Sequence, residues 1–139
     1  MGEFGQRQKM PIEATIDRYC EAWSDPDAAR RKALLDDVWA HGATYTDPTV
    51  HLVGAAALLD HVAMVQAKRP GGRVERVGEV DFHHDVACFH WHAVLPDGTS
   101  VREGLDLAIF DEAGRLSRVI GFFAPLPARD GNHASGAAV

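Results

Sequence analysis

The chain has 139 residues, 46 % of them hydrophobic and 24 % charged, which is the balance of one soluble globular domain with a core of useful size. A net charge of −6 excludes the basic groove that a nucleic-acid binder needs, and no apolar run approaches the ~20 residues of a membrane span. Residues 1–9 lack the apolar centre of a signal peptide, so the cytoplasm is the expected location and no membrane partner is expected. Cys20 and Cys88 both fall at apolar positions and read as reduced core residues.

Residues 1–10 are polar and read as a flexible extension ahead of a single domain over 11–127. Pro11 opens a helical pattern in which Ile12, Ile16, Tyr19, Cys20 and Trp23 recur at i, i+3/i+4 spacing. The segment from Ser24 to Asp27 breaks it, with Ser24 or Asp25 as the expected cap of a second helix and Pro26 in its first turn. That helix is expected to reach about Trp39, burying Ala28, Leu34, Leu35 and Val38, and Gly42 ends the segment. Ala43 to Asp47 alternates as a short strand closed by Pro48. Gly54 to Lys68 reads as a third helix stopped by Pro70, Gly71 and Gly72.

From Arg73 the pattern changes to period two, with strands expected near 74–83, 86–95, 100–110 and 115–124. Residues 128–139 are small and polar and read as a disordered tail. Helices first and strands later, without βαβ alternation, mean an α+β fold with a mostly antiparallel sheet curled around the helices. Asp97-Gly98 is a strong hairpin signal, expected as a two-residue turn with Pro96 facing Thr99. The resulting register sets Trp91 against Gly104, Phe89 against Asp106 and His92 against Glu103. One sheet face then carries Phe89, Trp91, Ala93, Arg102, Gly104, Asp106, Ala108 and Phe110. The other carries Cys88, His90, His92, Val101, Glu103, Leu105 and Leu107.

Three polar residues stand out. Asp106 lies inside an apolar strand, where aspartate is disfavoured and an isolated charge is costly, so it must be paired, protonated or turned to a cavity. A salt bridge to Arg102 or Arg118 is the mundane alternative, but Arg102 is four residues away, roughly 13 Å along the strand, and is better placed at a pocket mouth. Asp47 reads either as a strand terminator before proline or, if Tyr45 packs inward, as an inward carboxylate. Tyr19 is either a core aromatic or a hydrogen-bond donor into a pocket. Titratable groups gathered in one apolar pocket are what proton-transfer chemistry needs. His90, His92 and Glu103 share the opposite face and allow a facial metal site, or simply an outer surface used in a homodimer contact with Leu105 and Leu107. His41 is expected beside a helix C-terminus and His61 at the pocket. No nucleotide-cofactor motif is present, and no cofactor is expected.

This arrangement resembles the NTF2-like superfamily, which includes SnoaL-like polyketide cyclases and ketosteroid isomerases. The resemblance runs from about Ile12 to Phe123 and rests on Ile16 to Trp23, Ala43 to Pro48, Gly54 and the stretch from Gly104 to Phe123. It implies a cone of three helices on a curved sheet enclosing an apolar pocket. It also implies a cofactor-independent isomerase or cyclase acting on a hydrophobic carbonyl compound through enolate chemistry, or a non-catalytic relative that binds a hydrophobic small molecule. By the same resemblance Tyr19 matches an oxyanion-hole tyrosine, Asp47 a general base and Asp106 an aspartic acid that donates when protonated. An ionised Asp106 instead matches the acid/base aspartate of the SnoaL-like cyclases. Trp23, Tyr45, His61 and Phe89 are expected to meet the substrate, as are Trp91, Arg102, Phe110 and Phe123.

Overall fold

At Pro11 the chain turns helical, because a residue without an N–H loses nothing at the start of a helix. Its carbonyl accepts from Thr15 N at 3.0 Å. The computed structural model describes residues 10–126, so apart from Met10 the expected extension lies outside the described residues, as does the tail at 128–139. Helix α1 (Ile12–Ser24) buries Thr15, Ile16, Tyr19, Cys20 and Ala22, the stripe its spacing demands. Helix α2 (Ala28–Val38) is capped by Asp27, whose carboxylate accepts from Arg30 N at 3.0 Å. Neither Ser24 nor Asp25 caps it, and Pro26 stands outside the helix. Asp25 is engaged by Asp27 N at 2.8 Å and by the Arg30 guanidinium at 3.0 Å. Leu35, Val38 and the aliphatic length of Arg31 are buried, whereas Ala28 is exposed.

Strand β1 (Trp39–Asp47) begins where α2 stops and passes through Gly42 instead of ending the helix there. Gly42 has φ +77°, and the register against the neighbouring strand shifts between Trp39 and Thr44, so the glycine serves a bulge within the strand. His41 accordingly lies in β1 and not beside a helix end. Strand β2 (Val50–Val53) folds back on β1 and was not expected, because four residues give too short a run for a period to show. Helix α3 (Ala55–Lys68) starts at Gly54. Strands β3 (Arg73–His83), β4 (Val86–Val94), β5 (Ser100–Phe110) and β6 (Leu116–Phe123) complete an open six-stranded sheet in the order β2-β1-β6-β5-β4-β3. β1 and β6 run parallel, and the other neighbours are antiparallel.

The register between β4 and β5 sets Trp91 against Gly104, Phe89 against Asp106 and His92 against Glu103, as expected. The turn that delivers it differs. Leu95 N donates to Thr99 O at 2.9 Å and Gly98 N to Leu95 O at 2.8 Å, with positive φ at Gly98 and not at Asp97. This is a three-residue loop, and a bulge between Ala93 and Val94 restores the register. The two-residue turn with both φ positive is His84-Asp85, at +49° and +64°. Phe89, Ala93, Gly104, Asp106, Ala108 and Phe110 face inward and are buried, while His90, Val101 and Glu103 on the opposite face are exposed. Cys20 sits in the core, but Cys88 is half-buried on the outer face, and both are free thiols. Among the described residues no helix is long and apolar enough to cross a membrane.

Candidate active site

Between α1, α3 and the inner face of the sheet lies a cavity of about 440 Å³. Tyr19 and Trp23 reach it from α1, Tyr45 and Asp47 from β1, His61 from α3, Phe89 and Trp91 from β4, Arg102 and Asp106 from β5, and Phe123 from β6. Three segments distant in sequence, α1, β1 and β5, therefore bring the three singled-out polar residues to one hollow. Phe110 does not join them. It shares the face of Asp106 but stands four residues further along β5, roughly 13 Å beyond, where it packs edge-on against Phe82 with ring centres 5.9 Å apart. The sheet face is longer than the pocket. Met64, Val65, Lys68 and Arg69 also line the cavity and were missed, although Met64, Val65 and Lys68 follow His61 at the 3–4-residue spacing of one helix face.

Asp106 is 6 % exposed and is paired with neither Arg102 nor Arg118. Its Oδ1 accepts from the Trp91 indole N–H at 2.8 Å, and Oδ2 receives no hydrogen bond among the described residues. Two glycines make that arrangement possible. A Cβ on Gly104 would lie 2.4 Å from Trp91 Cζ2 and 2.3 Å from the Phe122 carbonyl oxygen. A Cβ on Gly121 would lie 2.9 Å from Asp106 Oδ1. Burial pushes the Asp106 carboxyl from 3.8 up to about 7; the Trp91 hydrogen bond restrains the rise and the nearby charge of Asp47 adds to it. Arg102 turns instead to Phe123, its guanidinium carbon 4.2 Å from the ring centre.

Asp47 has the opposite environment. Its Oδ1 accepts from Thr49 N and Thr49 Oγ1, both at 2.7 Å, and from Val50 N at 3.1 Å, while Oδ2 accepts from Tyr45 Oη at 2.7 Å. Burial alone would raise its pKa, but these donors outweigh it and hold the carboxyl below its usual value. Asp47 is thus both the turn-former before Pro48 and an inward carboxylate. Burial, followed by the neighbouring Tyr19 and the bond to Asp47, holds the Tyr45 phenol well above its usual value. Tyr19 stacks on Trp39 with ring centres 5.9 Å apart. Burial and then the charge of Asp106 raise its phenol as well, so it remains a donor at every physiological pH. The Trp23 indole tempers that rise without completing a hydrogen bond, and Tyr19 Oη is buried with no partner.

A SnoaL-like family protein from Agrobacterium tumefaciens, provisionally named an isomerase, superposes with a TM-score of 0.75 and 29 % identity over 81 % of this chain and 96 % of that one. A Sinorhizobium meliloti protein provisionally named a polyketide cyclase gives 0.62 and 18 % over 81 % and 94 %. An NTF2-like protein of unknown function from Exiguobacterium gives 0.65 and 19 % over 81 % and 99 %. The fold is NTF2-like. No protein-family model and no curated protein matches the chain.

Within this NTF2-like frame the pocket holds one carboxyl that titrates near neutrality, one kept ionised by four hydrogen bonds, and a phenol with an unused hydroxyl. Such divergent environments separate acid/base roles between like residues. The outer-face histidines do not gather into a metal centre. His92 Nε2 lies 3.0 Å from Glu75 Oε1 on β3, and among the described residues no group of three or more His, Cys, Asp or Glu side chains could hold an ion.

Proposed function

We propose that the chain is a cofactor-independent acid/base enzyme, an isomerase or cyclase that acts on a hydrophobic carbonyl compound through an enolate. The observation that carries this reading is the Asp106 carboxyl, buried in the pocket and pushed up to about 7, because a proton carrier works best when its pKa lies near the working pH. Asp106 Oδ2 takes the proton alpha to the carbonyl, leaving the electron pair on the enolate. Tyr19 Oη–H donates to the oxygen on which the charge develops, in a hollow walled by Trp23, Phe89 and Trp91 where such a bond is strong. The carboxylic acid then returns its proton, either to a vinylogous carbon (isomerisation) or to the alkoxide formed when the enolate carbon attacks a second carbonyl of the same molecule (cyclisation). Asp47 stays ionised, raises the Asp106 pKa by its charge and fixes Tyr45. This reverses the base role that the ketosteroid-isomerase resemblance assigns to Asp47.

The test is deuterium exchange at the alpha carbon of a panel of bicyclic ketones, followed by NMR, which reads the enolate step common to both reactions. Wild type should exchange, and Asp106→Asn should lose about 10²–10⁴-fold, the usual size of a general acid/base contribution. Exchange undiminished in Asp106→Asn would remove the proposal. A second reading, a binding protein without catalysis, draws on the four hydrogen bonds that commit Asp47 to the turn and to Tyr45. Ketone binding without exchange in wild type would favour it.

A further inference from the structure

Resting on that reading, we propose that the molecule taken into the pocket carries an anionic group, such as a carboxylate, on the end that faces the mouth, and that Arg102 holds it. The cavity is apolar along its walls, with its acidic groups Asp47 and Asp106 buried, yet Lys68, Arg69 and Arg102 also border it. Outside the pocket Arg18 pairs with Asp37, Arg30 with Asp25, Lys32 with Asp36, Arg73 with Glu75 and Arg76 with Asp17, while Arg31 and Arg115 hold backbone carbonyls and the exposed Arg118 is turned to solvent. None of the three pocket cations forms an ion pair within the described residues, in a chain whose net charge is −6 and which has carboxylates to spare.

Lys68 and Arg69 stand at the C-terminus of α3, where cations complement the unpaired carbonyls, and that suffices to explain them. Arg102 has no such explanation. It sits on the inner face of β5, half-buried, with its guanidinium carbon 4.2 Å over the Phe123 ring centre. A guanidinium seated over a ring spends none of its N–H groups on that contact, which leaves them for bidentate capture of a carboxylate. Asp106 and Asp47 would repel an anion at depth, so the charge must stay at the mouth while the carbonyl goes inward. The four-residue separation of Arg102 and Asp106 on one strand face, roughly 13 Å, sets the distance between the two ends. A rigid keto acid of two or three fused rings meets these demands, and a neutral steroid-like ketone leaves Arg102 unused.

The experiment needs no turnover. Trp23 and Trp91 border the cavity, so their fluorescence reports occupancy during titration with 2-naphthylacetate and, separately, its methyl ester. Wild type should bind the anion about tenfold more tightly than the ester at low salt, the scale of one charge-assisted bond. Arg102→Gln should bring the two within about twofold while ester binding persists, which also shows that the variant is folded. Arg118→Gln, an equal charge change at an exposed position outside the pocket, should keep the preference. Equal affinities in wild type, binding of neither probe, or a preference that survives Arg102→Gln would overturn the proposal. The anion preference should persist in Asp106→Asn, so failure of the catalytic reading and failure of the anion site give different results.

Discussion

Two aspartates on one pocket end up with opposite proton affinities because of what touches their oxygens. Asp47 accepts four hydrogen bonds and Asp106 one, so burial prevails only at Asp106. Carboxyl-carbon NMR should show Asp106 titrating near 7 and Asp47 below 3.8. Trp91→Phe deletes the donor that stabilises the Asp106 carboxylate, so its midpoint and the acid limb of the exchange profile should both move to higher pH. An unmoved limb would mean that Trp91 does not set the proton affinity. Stability is linked to the same shift. Between about 4 and 7 the folded chain holds a proton on Asp106 that the unfolded chain has released. The contribution is therefore complete at low pH and is lost as pH rises through the folded value. Asp106→Asn should flatten that decline and raise the melting temperature at pH 8 by several degrees, on the order of what 1 kcal/mol produces in a domain of this size.

At the scale of elements, the β4–β5 hairpin carries the site. Its register was legible because a single slip would turn Phe89, Asp106 and Ala108 out to solvent. Its turn was not, since a glycine after Asp97 suits a two-residue loop and also the left-handed position of a three-residue loop with a bulge, and the chain closes the second, from Leu95 to Thr99. Gly104 was legible only as a member of the inner face. Its purpose depends on Trp91 lying across it, which is a contact between strands. Gly104→Ala should cost about 1–3 kcal/mol in urea unfolding, the usual scale of overpacking, and should displace the indole from Asp106. An unchanged midpoint with an intact Asp106 titration would contradict the close packing described.

For the whole molecule, the outer sheet face raises a separate expectation. Val77, Val101 and Phe122 are exposed there beside the half-buried Leu105 and Leu107, and we propose that this surface is covered in a homodimer. Light scattering at micromolar concentration should give about twice the 15.1 kDa chain mass, and Phe122→Glu should shift it toward one. A monomer in wild type would remove the expectation.

Local pattern alone determined the helices, the four long strands, the inward face of β4 and β5, and the anomaly of a carboxylate within an apolar strand. Each depends on residues near one another in the chain, where a period of two or of 3.6 is visible. Tertiary structure decided the rest: that Phe110 falls short of the pocket, that Trp91 and not an arginine answers Asp106, that Asp47 is saturated and Arg102 is not. Proton affinity and ligand charge arise from groups that different segments bring within a few ångströms, and chain spacing holds no record of that approach.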